Sequence, residues 1–254
     1  MDGSFEWQIT RWDGESKHSV EGAVIEEQQF RIHVNGRNLA TIMCTPVELE
    51  ALTLGFLRSE GIIQGMADIQ ILHLCPGATC IDVWLREADA TLPREAILTS
   101  GCGGGVTFDD MSQLVAPLDR SRVVSREDIL SGMRRLLDGA RLYRVTRGVH
   151  TSSLDNGNRV RVICEDVGRH NTIDKLWGTC LKKGINPAGL TLFATGRISS
   201  EMLNKAAKMR VPAVVSLTSP TSLSVQLAQH WQMLLVGYVR STGFNVYAGD
   251  FRLI

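Results

Sequence analysis

Leu190-Thr191-Leu192-Phe193-Ala194 runs into Thr195-Gly196-Arg197-Ile198-Ser199, then a helical stretch Glu201–Met209, then Ala213-Val214-Val215-Ser216-Leu217. Two short apolar runs on either side of a helical pattern, with a glycine-bearing polar turn before the helix, read as a β-α-β unit. The rhythm continues downstream. Thr218-Ser219-Pro220-Thr221 leads into a helix Leu223–Trp231, a strand Leu234–Val239 and a last strand Asn245–Tyr247. Upstream, Val149–Leu154 and Arg159–Cys164 form a hairpin around Asp155-Asn156-Gly157, followed by a helix near Thr172–Lys183. Such alternation predicts an α/β architecture with a mostly parallel sheet.

In a parallel sheet the strand-to-helix turns emerge on one edge, where ligands bind. Four segments should share that rim: 166–171, 195–199, 218–221 and 240–243. They hold Arg169, Arg197 and Arg240, several hydroxyls and glycines, and three of them open helices. Free N–H groups and partial positive charge at helix starts suit a phosphate-bearing ligand, and arginine adds a bidentate grip. Ser199, Ser219 and Thr221 also have an ordinary role as helix caps, but capping does not account for Gly-Arg twice, at Gly168-Arg169 and Gly196-Arg197. His170 reads as a general acid/base or a hydrogen-bond donor to a ligand, with Glu165, Asp166 and Asn171 close in sequence. Asp174 and Lys175 read as a ligand-side pair or a solvated one.

The first half is built differently. Phe30–Val34 alternates, Asn35-Gly36 signals a type I′ turn, and Leu39–Cys44 returns as a strand. Thr45-Pro46-Val47-Glu48 reads as a capping box ahead of a helix bearing Leu49, Leu52 and Phe56 and ending at Gly61. A second hairpin, Ile69–Leu74 with Ile81–Leu85, turns at Pro76-Gly77, and Ser125 caps a helix through about Leu137. Between them, Cys102 lies among Gly101, Gly103, Gly104 and Gly105, a composition that reads as a pliable loop presenting a thiol. We place the boundary between the two regions, 1–145 and 146–254, near residue 145.

The 254 residues are 44% hydrophobic and 21% charged, ordinary for a globular chain, and 27 basic residues balance 27 acidic ones. No bulk field therefore draws the protein to nucleic acid or a membrane. Neither a secretory start nor a membrane-spanning run is visible, so the expected compartment is the cytoplasm, where the six cysteines stay mostly reduced. Cys75 and Cys80, with His73 nearby, match no zinc spacing, and no metal site is expected. Cys44, Cys164 and Cys180 have the apolar settings of core residues. A Cys-His hydrolase would need Cys102 with His150 or His170, but no local signature links them.

Several blocks together carry a resemblance over nearly the whole chain: Cys44-Thr45-Pro46; Leu54-Gly55-Phe56-Leu57 with Ser59-Glu60-Gly61-Ile62-Ile63; the Cys102 loop; Glu165 to Asn171 with Asp174-Lys175; Gly196-Arg197 with Ser199, Glu201 and Met202; Ser219-Pro220-Thr221 with Leu223; and Asn245-Val246-Tyr247. The sequence resembles the formate dehydrogenase accessory sulfurtransferases, the FdhD family. That resemblance implies a homodimeric sulfur carrier. It would accept sulfur from a cysteine desulfurase as a persulfide and pass it to the bis(molybdopterin guanine dinucleotide) molybdenum cofactor that formate dehydrogenase needs. It also implies a cytidine deaminase-like, three-layer C-terminal domain with a mixed sheet, preceded by a smaller α+β region. Deaminase chemistry does not follow, because neither zinc element of those enzymes is present.

Joined to the rim, the resemblance makes Cys102 the sulfur anchor and Arg169 and Arg197 the phosphate contacts, with His170, Asn171, Gly196 and Ser199 beside them. Tyr238, Val239, Arg240, Ser241, Thr242 and Gly243 would wall the guanine nucleotide, and GDP or GMP would mimic the cargo. Many family members carry C-x-x-C in the glycine loop, whereas Gly105 occupies the second position here. One thiol suffices for a persulfide, but its loss keeps a second reading open, a cofactor-binding chaperone that transfers no sulfur.

Overall fold

Hairpin signals set the first half. The computed structural model describes residues 3–87, the backbone of Ile97–Thr99, and residues 115–254. Among the described residues, strands β1 (Ser4–Asp13) and β2 (Ser16–Ile25) pair only with each other, as an antiparallel ribbon. Strands β3 (Gln28–Val34) and β4 (Arg37–Cys44) are joined by Asn35-Gly36, both at positive φ (49° and 77°), as a type I′ turn requires. Helix α1 (Leu49–Ser59) follows, then the hairpin β5 (Ile69–Leu74) and β6 (Cys80–Leu85), and β7 (Ile97–Thr99). These strands form one sheet in the order β5-β6-β3-β4-β7. Phe30, Ile32, Ile42, Ile81 and Val83 from the sheet form one apolar cluster with Leu52 and Phe56 of α1.

Two local expectations are overturned here. Thr45 does not cap α1, whose preceding residue Glu48 sits at φ 54° with no side-chain cap. The Thr45 hydroxyl instead accepts the Val167 N–H at 3.1 Å, and its own N–H donates to Asp166 at 3.2 Å. A tertiary contact has taken the capping group. Against the expectation of mostly reduced cysteines, the β5–β6 register places the Cα atoms of Cys75 and Cys80 5.4 Å apart, and they form a disulfide. Cys44, Cys164 and Cys180 are free and buried, as expected.

The second half opens with α2 (Arg126–Gly139), capped reciprocally by Ser125 and Asp128. Then come α3 (Arg141–Thr146), the hairpin β8 (His150–Asp155) and β9 (Val160–Asp166), and α4 (Arg169–Lys183). Next are β10 (Thr191–Ala194), α5 (Ser200–Lys208), β11 (Ala213–Ser216), α6 (Ser222–His230), β12 (Leu234–Gly237) and β13 (Asn245–Ala248). The sheet order is β13-β12-β11-β10-β8-β9.

The sheet is mixed rather than mostly parallel. β10, β11 and β12 are parallel, while the β8–β9 and β12–β13 connections impose antiparallel pairs, and β8 also runs antiparallel to β10. Two reversals restore direction, so β9 points the same way as β10, β11 and β12. The four polar segments therefore leave one edge, as the element order predicts.

Side-chain alternation makes three layers. Leu192, Val214 and Leu235 face the cluster containing α4, α5 and α6, whereas Phe193, Val215 and Val236 face Ile129, Met133 and Leu136 of α2. Helices α1 and α4 bring the two halves into backbone contact. A Cβ on Gly55 would stand 1.8 Å from the Asp174 carbonyl oxygen, and one on Gly178 1.8 Å from that of Ala51. No helix of the described residues is long and apolar enough to cross a membrane.

Candidate functional site at the outgoing strand edge

The end of β9 turns into α4 around one fully buried carboxylate. Asp166 accepts from the Gly168 N–H (2.7 Å), the Asn171 amide (2.8 Å), the Thr45 N–H and, at 2.6 Å, the Lys175 ammonium. Lys175 is itself fully buried and donates to the carbonyls of Thr45 and Glu165. Asp174 and Lys175 are therefore not a solvated pair. Each belongs to a different buried ion pair, Asp174 with Lys205 at 2.6 Å. Burial pushes the Asp174 carboxyl upward, against the pull of Lys205. Asn171 is spent on this scaffold as well, donating to Met43 O and Asp166.

On that scaffold stands the first turn of α4. Arg169 is buried (9% exposed), and its Nε has no hydrogen-bond partner among the described residues. A buried guanidinium N–H left unmade costs free energy unless something meets it. His170 Nε2 lies 3.0 Å from the Ser199 hydroxyl and 3.4 Å from the Glu201 carboxylate. Burial first, then the charges of Lys205 and Arg169, hold His170 down to about 3, so the ring is neutral near pH 7. Ser199 also caps α5, accepting the Met202 N–H. Gly196 closes the group. A Cβ there would lie 2.9 Å from His150 Nδ1 and 3.3 Å from the Arg169 Cβ, so only glycine lets these side chains converge. Arg197, next to it, is exposed.

The edge thus assembles Arg169, His170, Gly196 and Ser199 from the sequence reading, and adds two residues that reading gave no part in ligand binding. Glu201 stood in a quoted motif without a role. His150 begins β8; because β8 runs antiparallel to both neighbours, its first residue lands where theirs end. Element order alone held that signal.

The other end of the rim differs. Tyr238, at φ 52°, is exposed and hydrogen-bonds through its N–H to Thr218 O. Val239 is buried and belongs to the α2-side cluster. The Arg240 guanidinium donates to the carbonyls of Leu217 and Val239, and its N–H to Gly243 O, closing a turn that leaves Ser241 and Thr242 exposed. Beside it opens a cavity of about 280 Å³ lined by Leu130, Met133, Leu137, Leu217 and Val239, with Arg134, Arg240 and Ser241. Four strand spacings of ~4.8 Å separate β9 from β12, about 19 Å. The structure does not bring 238–243 to Arg169. Cys102 and its glycines lie outside the described residues.

The model of the FdhD/NarQ family matches residues 25–254. A protein named sulfur carrier protein FdhD from Staphylococcus aureus (strain MRSA252) is 32% identical over 251 residues, covering 97% of this chain and 95% of that protein. One of the same name from Bacillus subtilis (strain 168) is 31% identical, covering 96% and 95%. A crystal structure described as a formate dehydrogenase accessory protein from Desulfotalea psychrophila superposes with a TM-score of 0.82 at 29% identity, over 99% of this chain and all of that one. Match length, identity and superposition agree with the blocks quoted from the sequence, and the chain belongs to the FdhD/NarQ family.

Proposed function

We propose that this protein carries sulfur from a cysteine desulfurase to the bis(molybdopterin guanine dinucleotide) molybdenum cofactor, as a persulfide on Cys102, in support of formate dehydrogenase. The Cys102 thiolate attacks the terminal sulfur of the desulfurase persulfide. That sulfur–sulfur bond breaks, and the desulfurase cysteine leaves as a thiolate.

One observation carries the reading: the buried Arg169 at the start of α4, whose Nε finds no hydrogen-bond partner among the described residues. A phosphate oxygen is the partner that such a group at a helix N-terminus accepts best. The rim's length of about 19 Å suits an elongated dinucleotide better than a single phosphate group. The apolar cavity beside Arg240 suits a planar base. Thr99 pairs with Ile42, two residues before Cys44, and Thr45 binds the Asp166 that seats α4.

The alternative is a chaperone that binds the cofactor without handling sulfur, favoured by Gly105 in place of a second loop thiol. Incubation with a desulfurase and cysteine, read by intact mass, separates the two. The wild type gains one sulfur, and Cys102→Ser gains none while binding GDP as before. Sulfur uptake by Cys102→Ser would overturn the carrier reading. A wild type that binds GDP but never gains sulfur would establish the chaperone.

A further inference from the structure

The outward face of the β5–β6 hairpin carries three cross-strand rows. Ile71 pairs with Trp84 and His73 with Asp82. Past them, Cys75 donates its N–H to Cys80 O at 2.9 Å and shares the disulfide with Cys80. The residues between, Leu72, Leu74, Ile81 and Val83, turn the other way and join the apolar cluster formed with α1. Parallel pairing of β6 with β3 sets His33 beside Asp82. His33 Nδ1 lies 3.0 Å from Asp82 Oδ1, and the other carboxylate oxygen, Oδ2, lies 3.8 Å from Cys75 Sγ. A disulfide, a carboxylate against one of its sulfurs and an imidazole on that carboxylate thus stand in line on a partly exposed face.

A structural staple has little to do here. A crosslink stabilises by closing a loop of the unfolded chain, and the effect shrinks with the loop, which here spans a sequence separation of only 5. The turn is also held without it, since the Ala78 N–H donates to Cys75 O and Gln28 Nε2 to Ala78 O. Cys75 and Cys80 are only partly buried, so a thiolate from solution has access to them. A carboxylate beside a bond that never opens has no task, whereas one beside a thiol that gains and loses a proton does.

We propose that Cys75–Cys80 is a thiol–disulfide exchange site whose substrate is the dithiol of an oxidoreductase protein, with Asp82, held by His33, moving the Cys75 proton. In reduction a partner thiolate attacks Cys80 Sγ. The Cys75–Cys80 bond breaks, a mixed disulfide forms on Cys80, and Cys75 leaves as a thiolate that takes a proton through Asp82. The partner's second thiolate then attacks its own first sulfur, and Cys80 leaves as a thiolate and is protonated from water. Two electrons pass to the pair, the partner becomes a disulfide, and the two protons it gives up match the two taken up. In the reverse direction Asp82 accepts the Cys75 proton, freeing the thiolate that closes the bond. Attack falls on Cys80 because the leaving sulfur is then the one next to the carboxylate. Trp84 (46% exposed) and Ile71 (49%) lie on the same face, about 14 Å along the strands, and give a protein partner an apolar footing that a small thiol would not use. The site draws on neither Cys102 nor Arg169, so it stands or falls apart from the carrier reading.

The test is alkylation of the native full chain, read by peptide mass, in a Cys102→Ser background that removes the loop thiol from the exchange. Reduced thioredoxin serves as the protein dithiol, dithiothreitol as the small one, and oxidised dithiothreitol recloses the bond. We expect both reductants to expose Cys75 and Cys80 with the circular dichroism unchanged, and the bond to re-form. Asp82→Asn should slow re-formation about tenfold near pH 7 in the native chain and leave it unchanged in the urea-unfolded one. Trp84→Ser should slow reduction by thioredoxin about fivefold and leave reduction by dithiothreitol unaltered. A bond that opens only after unfolding in urea, or native thiols that do not reclose, would overturn the exchange site. Wild-type reclosure in Asp82→Asn would overturn the role of Asp82, and equal response of the two reductants to Trp84→Ser would overturn the protein dithiol as substrate.

Discussion

The two ends of the rim leave the same sheet in the same direction and are built on opposite principles. At the β9–β10 end, Asp166, Lys175, Asp174 and Lys205 are buried in matched pairs, and Arg169 Nε has no partner among the described residues. At the β12 end, Tyr238, Arg240, Ser241 and Thr242 are exposed over an apolar cavity, and the arginine is satisfied by backbone carbonyls. The first end invests its polar groups in rigidity and keeps one donor in reserve. The second offers shape. A ligand with charge at one end and a flat, less polar group at the other would use both.

The contrast breaks most easily at the buried pair. Lys175→Met leaves Asp166 charged and uncompensated at zero exposure, and we expect a loss of about 3–5 kcal/mol in urea unfolding. Arg240→Ala, at the exposed end, should cost about 1 kcal/mol or less. Equal losses would show that the two ends are not differently built. Binding sharpens the same contrast. Arg169→Ala should weaken GDP about 10- to 100-fold by calorimetry, the effect of one or two charged hydrogen bonds, with little change in melting temperature. Arg240→Ala should weaken it severalfold less; parity would place the phosphates elsewhere.

The smallest effect is in pH. His170 is lowered from 6.5 to about 3, so the fold favours its neutral form. As pH falls below 6.5, the unfolded chain takes up this proton while the folded one does not. The His170 contribution is therefore fully present above pH 6.5 and is lost progressively toward pH 3. Urea unfolding at pH 7 and pH 5 should show a steeper decline for the wild type than for His170→Gln, and equal declines would contradict a buried neutral ring.

Much of this was readable from residue order. Asn35-Gly36, Asp155-Asn156-Gly157 and the Ser125 cap encode their own geometry locally, because turn and cap chemistry act over three or four residues. The shared rim followed from element order and survived the mixed sheet. Thr45, Asp174 and Lys175 were misread because their partners are Val167, Lys205 and Asp166 respectively, beyond any local pattern. The ribbon passed unnoticed although its alternation is regular; polar Glu6, Gln8 and Thr10 look like surface until Gly22 and Val24 are paired opposite Trp7 and Phe5.

The amino-acid order by itself determined the hairpins, the succession of strands and helices, and therefore the edge on which Arg169, Arg197 and Arg240 emerge. Tertiary structure alone decided which of those arginines is buried with an unpartnered Nε among the described residues, which carboxylates meet which lysines, and that the two ends of the edge stand about 19 Å apart. The physical reason is range. Backbone geometry and hydrophobic periodicity act between neighbours, whereas burial and charge pairing act between residues that meet only once the sheet has closed.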